Sequence, residues 1–269
     1  MCGVTTRNLR ILIPSFCFSS SKCTACGRCV GLCDARHIDE KEGRLVFERD
    51  KCVACGECER VCPHYVNSLK GKTDSVDKIL KEVAKDKSFY DKSGGGMTVS
   101  GGEPSMQGDA VIELIEKAKE LGICSAIETC GIGAETFYER CAELGCVFLF
   151  DIKGVNDEKH RFHTGVGVHK IHSNLALLMK LGAKIIIRMP LIPRYNDTDD
   201  DLALLADFLR ERKDGIEYAE IMPYHDLGNE KRRNLGLTAD DTIPNGRDFT
   251  NRWLALLEPS GVEIKVSGS

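Results

Sequence analysis

Eight of the chain's fourteen cysteines fall between positions 23 and 62, in two runs that share one spacing. Cys23, Cys26, Cys29 and Cys33 make the first run, and Cys52, Cys55, Cys58 and Cys62 the second; each is C-x2-C-x2-C-x3-C, and Pro63 closes the second. Thiolates so placed are metal ligands. Three of them a few residues apart can wrap a cubic 4Fe-4S cluster, while a fourth, set further on, points away from it. A pair of zinc sites is the alternative, since C-x2-C also opens zinc ribbons. Zinc wants four ligands in two separated pairs, whereas here each triplet is followed by a distant fourth.

The repeat matches the pattern of two-cluster bacterial ferredoxins, in which the fourth cysteine of one run serves the cluster of the other. Cys23, Cys26, Cys29 and Cys62 would then hold one 4Fe-4S cluster, and Cys52, Cys55, Cys58 and Cys33 the second. Asp34 stands where the first run would usually carry proline, which loosens a turn but removes no ligand. Gly27, Gly31 and Gly56 let the backbone turn tightly beside the sulfurs. The module extends over residues 19–67. Residues 1–18 show no amphipathic period and no turn logic, and are read as an aberrant N-terminal segment.

Composition agrees. A chain of 269 residues with 42% apolar residues can build one large domain or two smaller ones. A net charge of −4 gives no reason to expect nucleic acid as a partner. Many cysteines, no signal-peptide pattern and no long apolar run point to metal ligation in a reducing cytoplasm, with no membrane span.

The elements beyond the cysteines must position any further chemistry. Val76, Ile79, Leu80 and Val83 fall at helical spacing, so 75–86 reads as an amphipathic helix capped by Ser75. From residue 97 short apolar runs alternate with helical patterns. Strands are expected over 97–99, 124–127, 146–152, 184–189 and 218–222, and helices over 107–121, 134–144, 170–181 and 199–212. That alternation means βα units around a parallel sheet, within a domain of residues 75–266. Ligands of such sheets gather at the carboxyl ends of the strands.

Polar residues stand at those ends. Ser100-Gly101-Gly102-Glu103-Pro104 follows the first strand, Glu128-Thr129 the second, and Asp151 with Lys153 the third. Arg188 and Pro190 close the fourth, and Pro223-Tyr224-His225 the fifth. Taken singly, the glycine pair is an ordinary turn, Asp151 a helix cap and His225 a loop residue. Arg188, preceded by Ile185-Ile186-Ile187, must find a partner or an anion. Five consecutive strands delivering such ends to one rim argue for a site.

With SGGGMTVSGGEPSMQ, AIETCG, DIK, HTG, IRMPLIP and MPYHDLG, the chain resembles the glycyl-radical enzyme activating proteins, radical S-adenosylmethionine enzymes related to the pyruvate formate-lyase activating enzyme. The ferredoxin insert marks one subgroup of them. The resemblance covers about residues 22–237 and implies an α/β fold: a partial parallel (β/α)6-type barrel lacking its first strand, with an inserted two-cluster module. It implies that Gly101, Gly102 and Glu103 hold the methionyl amine of S-adenosylmethionine. Lys153 matches a residue near its carboxylate, and Arg188 and His225 match residues that contact the cofactor. Glu128, Thr129 and Asp151 match a site for a monovalent cation. The reaction it implies is reductive cleavage to a 5′-deoxyadenosyl radical, which takes hydrogen from a glycine of a partner enzyme. Reduced flavodoxin or ferredoxin would be the electron donor, and a monomer is expected.

One family feature is missing. The cluster at which cleavage occurs uses C-x3-C-x2-C, and that spacing occurs nowhere in this chain: Arg36 and Tyr65 stand where the third cysteine would be, and Cys2 and Cys17 are wrongly spaced. The third 4Fe-4S cluster therefore lacks its ligands. Reading the codons of residues 2–10 from their third base, with those bases chosen freely, yields Trp-Cys-His-Asn-Pro-Glu-Ser-Gln, the family's usual sequence around that motif's last cysteine. This predicts a frameshift near residues 9–16, which sequencing of the locus checks, and reduced stability beside the missing strand. Two other readings stand: an iron-sulfur electron-transfer or binding protein, and a non-functional remnant. Cys124, Cys130, Cys141 and Cys146 lack ligand spacing and are expected to be buried structural residues. His160, His163, His169 and His172 are expected at the surface, and the acidic run 197–201 at a helix N-terminus.

Overall fold

The computed structural model describes residues 15–70 and 74–268. Residues 1–14, with Cys2 and most of the aberrant segment, lie outside the described residues, as do 71–73 of the expected linker. The described residues divide into two compact units, one of residues 74–225 and 243–268, the other of 15–70 and 226–242.

The cysteine unit is built from short pieces. β1 (Ser15–Phe18) pairs antiparallel with β4 (Asn67–Lys70), which sets Cys17 opposite Ser68. β2 (Arg36–Asp39) and β3 (Arg44–Phe47) form a hairpin, and α1 (Glu57–Arg60) lies between β3 and β4 in the chain. Its core is small: Phe18, Cys29, Leu45, Cys58 and Val66. The sequence repeat is also a backbone repeat. Each run begins after a single 3-10 turn, Ser20–Lys22 before Cys23 and Arg49–Lys51 before Cys52. Ala25 and Ala54 then take φ of 52° and 53°, and Gly27 and Gly56 φ of 76° and 82°. Left-handed backbone is unusual for alanine, and it occurs at the same place in both runs.

The larger unit is an α/β sheet. α2 (Val76–Val83) is capped by Ser75, whose oxygen accepts from the Lys78 N–H at 3.3 Å. After α3 (Lys87–Ser93) come β5 (Gly96–Val99), α4 (Gly108–Glu120), β6 (Cys124–Thr129), α5 (Glu135–Glu143) and β7 (Val147–Asp151). α6 (Asp157–Thr164) and α7 (His169–Lys180) lead to β8 (Lys184–Leu191), α8 (Asp199–Arg210) and β9 (Tyr218–Pro223). The chain then crosses to the cysteine unit for α9 (Leu227–Asn234), and returns for α10 (Thr250–Leu257) and β10 (Ile264–Val266).

All strand pairs of this sheet are parallel, in the order β10-β9-β8-β7-β6-β5. The five expected strands are present, and β10 adds a sixth that no apolar pattern announced. Among the described residues no strand pairs the outer edge of β5, so the sheet is a partial barrel. Burial alternates along every central strand. Ile127, Phe148, Phe150, Ile185, Ile187, Met189 and Ile221 are fully buried in the main core, while Glu128, Leu149, Asp151, Arg188 and Glu220 share the other, half-buried face. Among the described residues no helix is long and apolar enough to cross a membrane.

Three expectations need correction. Cys124 is exposed because it opens β6 at the strand's free N-terminal end. His160 is buried: its Nδ1 lies 2.7 Å from the Val166 carbonyl oxygen, in the turn that folds back after α6. His172 is half-buried, its ring centroid 4.7 Å from that of Phe208, and burial pushes its pKa down to about 4. His163 and His169 are exposed, and Cys141 and Cys146 are buried. The acidic run does start a helix: Thr198 caps α8 and exchanges hydrogen bonds with Asp201. Asp197 instead turns inward, accepting from the Trp253 Nε1–H at 3.1 Å and the Arg194 N–H at 2.7 Å.

Candidate functional site

Within the cysteine unit, Cys23, Cys26, Cys29 and Cys62 line one cavity together with Thr24, Ala25, Gly27, Arg28, Leu45, His64, Val66 and Asn67. It holds about 320 Å³ of atom-free space, including the part open to solvent. Three consecutive sulfurs of one run are thus gathered with the last sulfur of the other. The left-handed turns aim backbone donors at sulfur: the Ala25 N–H donates to Cys23 Sγ and the Ala54 N–H to Cys52 Sγ, each at 3.4 Å. Burial raises the pKa values of Cys29 and Cys58, opposed by the Arg36 guanidinium. Asn67 ties the second run down, its Nδ2 donating to the Cys58 carbonyl at 3.0 Å. Among the described residues no three His, Cys, Asp or Glu side chains are spaced to hold a single metal ion. A cubic cluster spreads its four thiolates over separate corners, wider than one ion would hold them. The cavity, the sulfur set and the N–H donors therefore fit a 4Fe-4S cluster.

At the carboxyl edge of the sheet, the loop after β5 carries Gly101 at φ 93° and Gly102 at φ 59°. A side chain at Gly102 would meet open space, so only the backbone conformation requires glycine there. Glu103 is held rigidly. Its Oε1 accepts from the Ser105 N–H (3.2 Å), the Ser105 hydroxyl (2.8 Å) and the Thr129 hydroxyl (2.7 Å), and its Oε2 from the Cys130 N–H (2.8 Å). Thr129 in turn sits 3.0 Å from the Tyr138 hydroxyl. The carboxylate is thus committed to its own loop, and the glycine backbone is left to approach a ligand. Buried Asn174 pins the next loop, its Nδ2 donating to the Gly131 (2.7 Å) and Gly133 (3.0 Å) carbonyls. Cys130 stays a thiol, its pKa pushed up to about 11 by burial and by the Glu103 charge.

The second group lies on the half-buried face. Register sets Asp151 opposite Arg188 and Arg188 opposite Glu220, across β7, β8 and β9. Arg188 pairs with Glu128 at 2.6 Å and stands 3.9 Å from Glu220. Glu128 also accepts from the Ser100 hydroxyl at 2.8 Å. Lys153 reaches Asp151 only at 3.9 Å. Asp151 Oδ1 is buried with no hydrogen-bond partner, and its pKa is raised by burial although Lys153 and Arg188 pull it down. The structure thus brings Glu128, Asp151 and Arg188 together, and sends the Thr129 hydroxyl to Glu103 instead. His225 stands exposed beyond β9. Glu220 and Tyr138 were missed in the sequence; the alternation of β9 places Glu220 beside Arg188 once the register is known.

Four carboxylates, two cations and an open glycine backbone gather at the edge of the parallel sheet. Residues 49–208 match the radical SAM superfamily, and residues 22–66 a 4Fe-4S dicluster domain. The chain is 37% identical over 217 residues to a trans-4-hydroxy-L-proline dehydratase activating enzyme of Clostridioides difficile, covering 80% of this chain and 71% of that one. It is 35% identical over 224 residues to a choline trimethylamine-lyase activating enzyme of Oleidesulfovibrio alaskensis, covering 81% and 72%. Among solved structures, a domain of a pyruvate-formate lyase-activating enzyme from Bacteroides vulgatus superposes with a TM-score of 0.54 at 22% identity, over 65% of this chain and 99% of that domain, which shows the fold. The chain belongs to the glycyl-radical enzyme activating family of the radical SAM superfamily.

Proposed function

We propose that this chain carries the two-cluster module and the S-adenosylmethionine cradle of an activase, and that as written it does not cleave the cofactor. Cys23, Cys26, Cys29 and Cys62 would hold one cluster, and Cys52, Cys55, Cys58 and Cys33 the other. These clusters supply one-electron transfer when bound. Gly101 and Gly102 offer backbone to the methionyl amine, with Glu103 holding their loop in shape. Lys153 and Arg188 place positive charge where a carboxylate would lie, and Arg188 is kept in position by Glu128 and Glu220. Asp151, with an oxygen free of partners, suits a monovalent cation, and oxygen ligands suit such a hard ion. His225 would close the cradle from beyond β9.

The third cluster does not fit, because C-x3-C-x2-C is absent from the sequence and Cys17 is buried in β1 opposite Ser68. No radical step is assigned to this chain for that reason. In the family the cleaved cofactor yields a radical that takes hydrogen from a glycine of a partner enzyme, with flavodoxin or ferredoxin as donor. The same absence favours a second reading, an iron-sulfur electron-transfer protein. The observation that carries the first is the Gly101-Gly102-Glu103 loop, whose carboxylate is spent on four hydrogen bonds of its own.

Anaerobic reconstitution tests both, with iron and sulfide assayed, S-adenosylmethionine binding measured by calorimetry, and 5′-deoxyadenosine sought under a strong reductant. The expected result is about eight irons, binding of the cofactor, and no cleavage. About twelve irons with cleavage would overturn the proposal, and eight irons without binding would select the electron-transfer reading.

A further inference from the structure

Arg36 is a charged residue that neither cysteine ligation nor the sheet site employs. It opens β2 and is 3% exposed. Its guanidinium carbon lies 5.1 Å from the centre of the Phe18 ring and 4.3 Å from that of Phe47. Its Nη1 stands 4.0 Å from Cys29 Sγ. At Cys29 its charge and its hydrogen bond oppose the effect of burial. Arginine does not give up its proton in proteins, so burial leaves the charge in place. The two aromatic faces offset part of its desolvation and fix the plane of the fork.

We propose that Arg36 sets the reduction potential of the cluster that Cys29 ligates, making it easier to reduce than a neutral residue at this position would. The proposal rests on the reading above that the two cysteine runs bind 4Fe-4S clusters. Reduction adds one electron from an external one-electron donor; no bond forms or breaks, and the negative charge held by the thiolates and the core rises by one. A fixed positive charge beside a ligand sulfur, screened from water, favours the more negative form. Charge-assisted donation to sulfur acts the same way.

The test is a redox titration of the anaerobically reconstituted full chain, followed by electron paramagnetic resonance and visible absorbance, with dithionite as reductant. Native protein, Arg36→Gln and Arg36→Lys are compared at equal iron content. Arg36→Gln is expected to lower the midpoint of that cluster so that its reduction equilibrium falls at least tenfold, which is about 59 mV for one electron. Arg36→Lys keeps the charge and is expected to stay within threefold of the native protein. Full iron content with both midpoints unchanged in Arg36→Gln overturns the proposal. If Arg36→Gln does not load iron, Arg36→Lys decides: retained midpoints support a role for charge, and lowered ones overturn it. A native chain that binds no iron refutes the cluster reading itself, which is a separate outcome.

Discussion

At Asp151 the fold holds a carboxylate that it does not fully partner. One oxygen is buried without a hydrogen bond, and burial raises the group's pKa above its ordinary 3.8. The folded state therefore binds this proton more tightly than the unfolded chain does. Its contribution to stability is fully present below about pH 3.8 and is lost as pH rises through the raised folded value. Asp151→Asn is expected to melt at a higher temperature than the native chain at pH 7, with the gain vanishing below about pH 4. Thermal midpoints measured across that range check it, and a gain that persists at low pH would assign the effect to packing. The proposed cation site would use that unpartnered oxygen. In the sequence, Asp151 was visible as a strand-end residue of the DIK motif, without its partners. Its isolation is visible only when Lys153 is seen to stop 3.9 Å away.

Among the elements, α8 shows how closely local sequence can dictate structure. Thr198 and Asp201 form a reciprocal cap, and acidic residues fill the first turn, where the helix dipole favours them. Thr198→Ala should cost about 1 kcal/mol in urea unfolding, and an unchanged midpoint would mean that the other first-turn contacts suffice. The strands of the central sheet were equally legible, because short apolar runs such as Val147-Phe148-Leu149-Phe150 and Ile185-Ile186-Ile187 stand between helical patterns. β10 was not, since three residues, Ile264-Lys265-Val266, carry too little pattern; it becomes a strand only because β9 offers it an edge. α6 escaped for another reason. Its sequence is polar nearly all round, and the one side chain it buries is a histidine. Residues 226–242 read as a continuation of the sheet domain, yet α9 joins the cysteine unit, where the Asn234 carbonyl accepts from Arg49 Nη2 at 2.6 Å.

In the whole molecule, two cores of unequal size are held together differently. The sheet unit buries a continuous set of aliphatic and aromatic side chains, from Met97 to Leu257. Among the described residues, the core cluster of the cysteine unit gathers Phe18, Cys29, Leu45, Cys58 and Val66, two of them candidate ligand cysteines. A core that small needs a staple, and metal binding that gathers its cysteines becomes folding energy. Stripping iron with a chelator is expected to abolish or lower one calorimetric transition while leaving the transition of the sheet unit in place. A single transition unaffected by chelation would show that the cysteines contribute nothing to stability.

The family and its chemistry were determined by the sequence alone, because ligand spacing and short loop motifs are local: C-x2-C-x2-C-x3-C and Gly-Gly-Glu keep their meaning before any folding. The missing C-x3-C-x2-C was legible for the same reason. What only the tertiary structure decided are the partnerships between distant residues. Glu220 reaches Arg188 from the neighbouring strand, Asn67 donates to the Cys58 carbonyl, and Arg36 comes to stand beside Cys29. Those contacts depend on strand register and on side-chain burial, and both are set by packing energies summed over residues far apart in the chain.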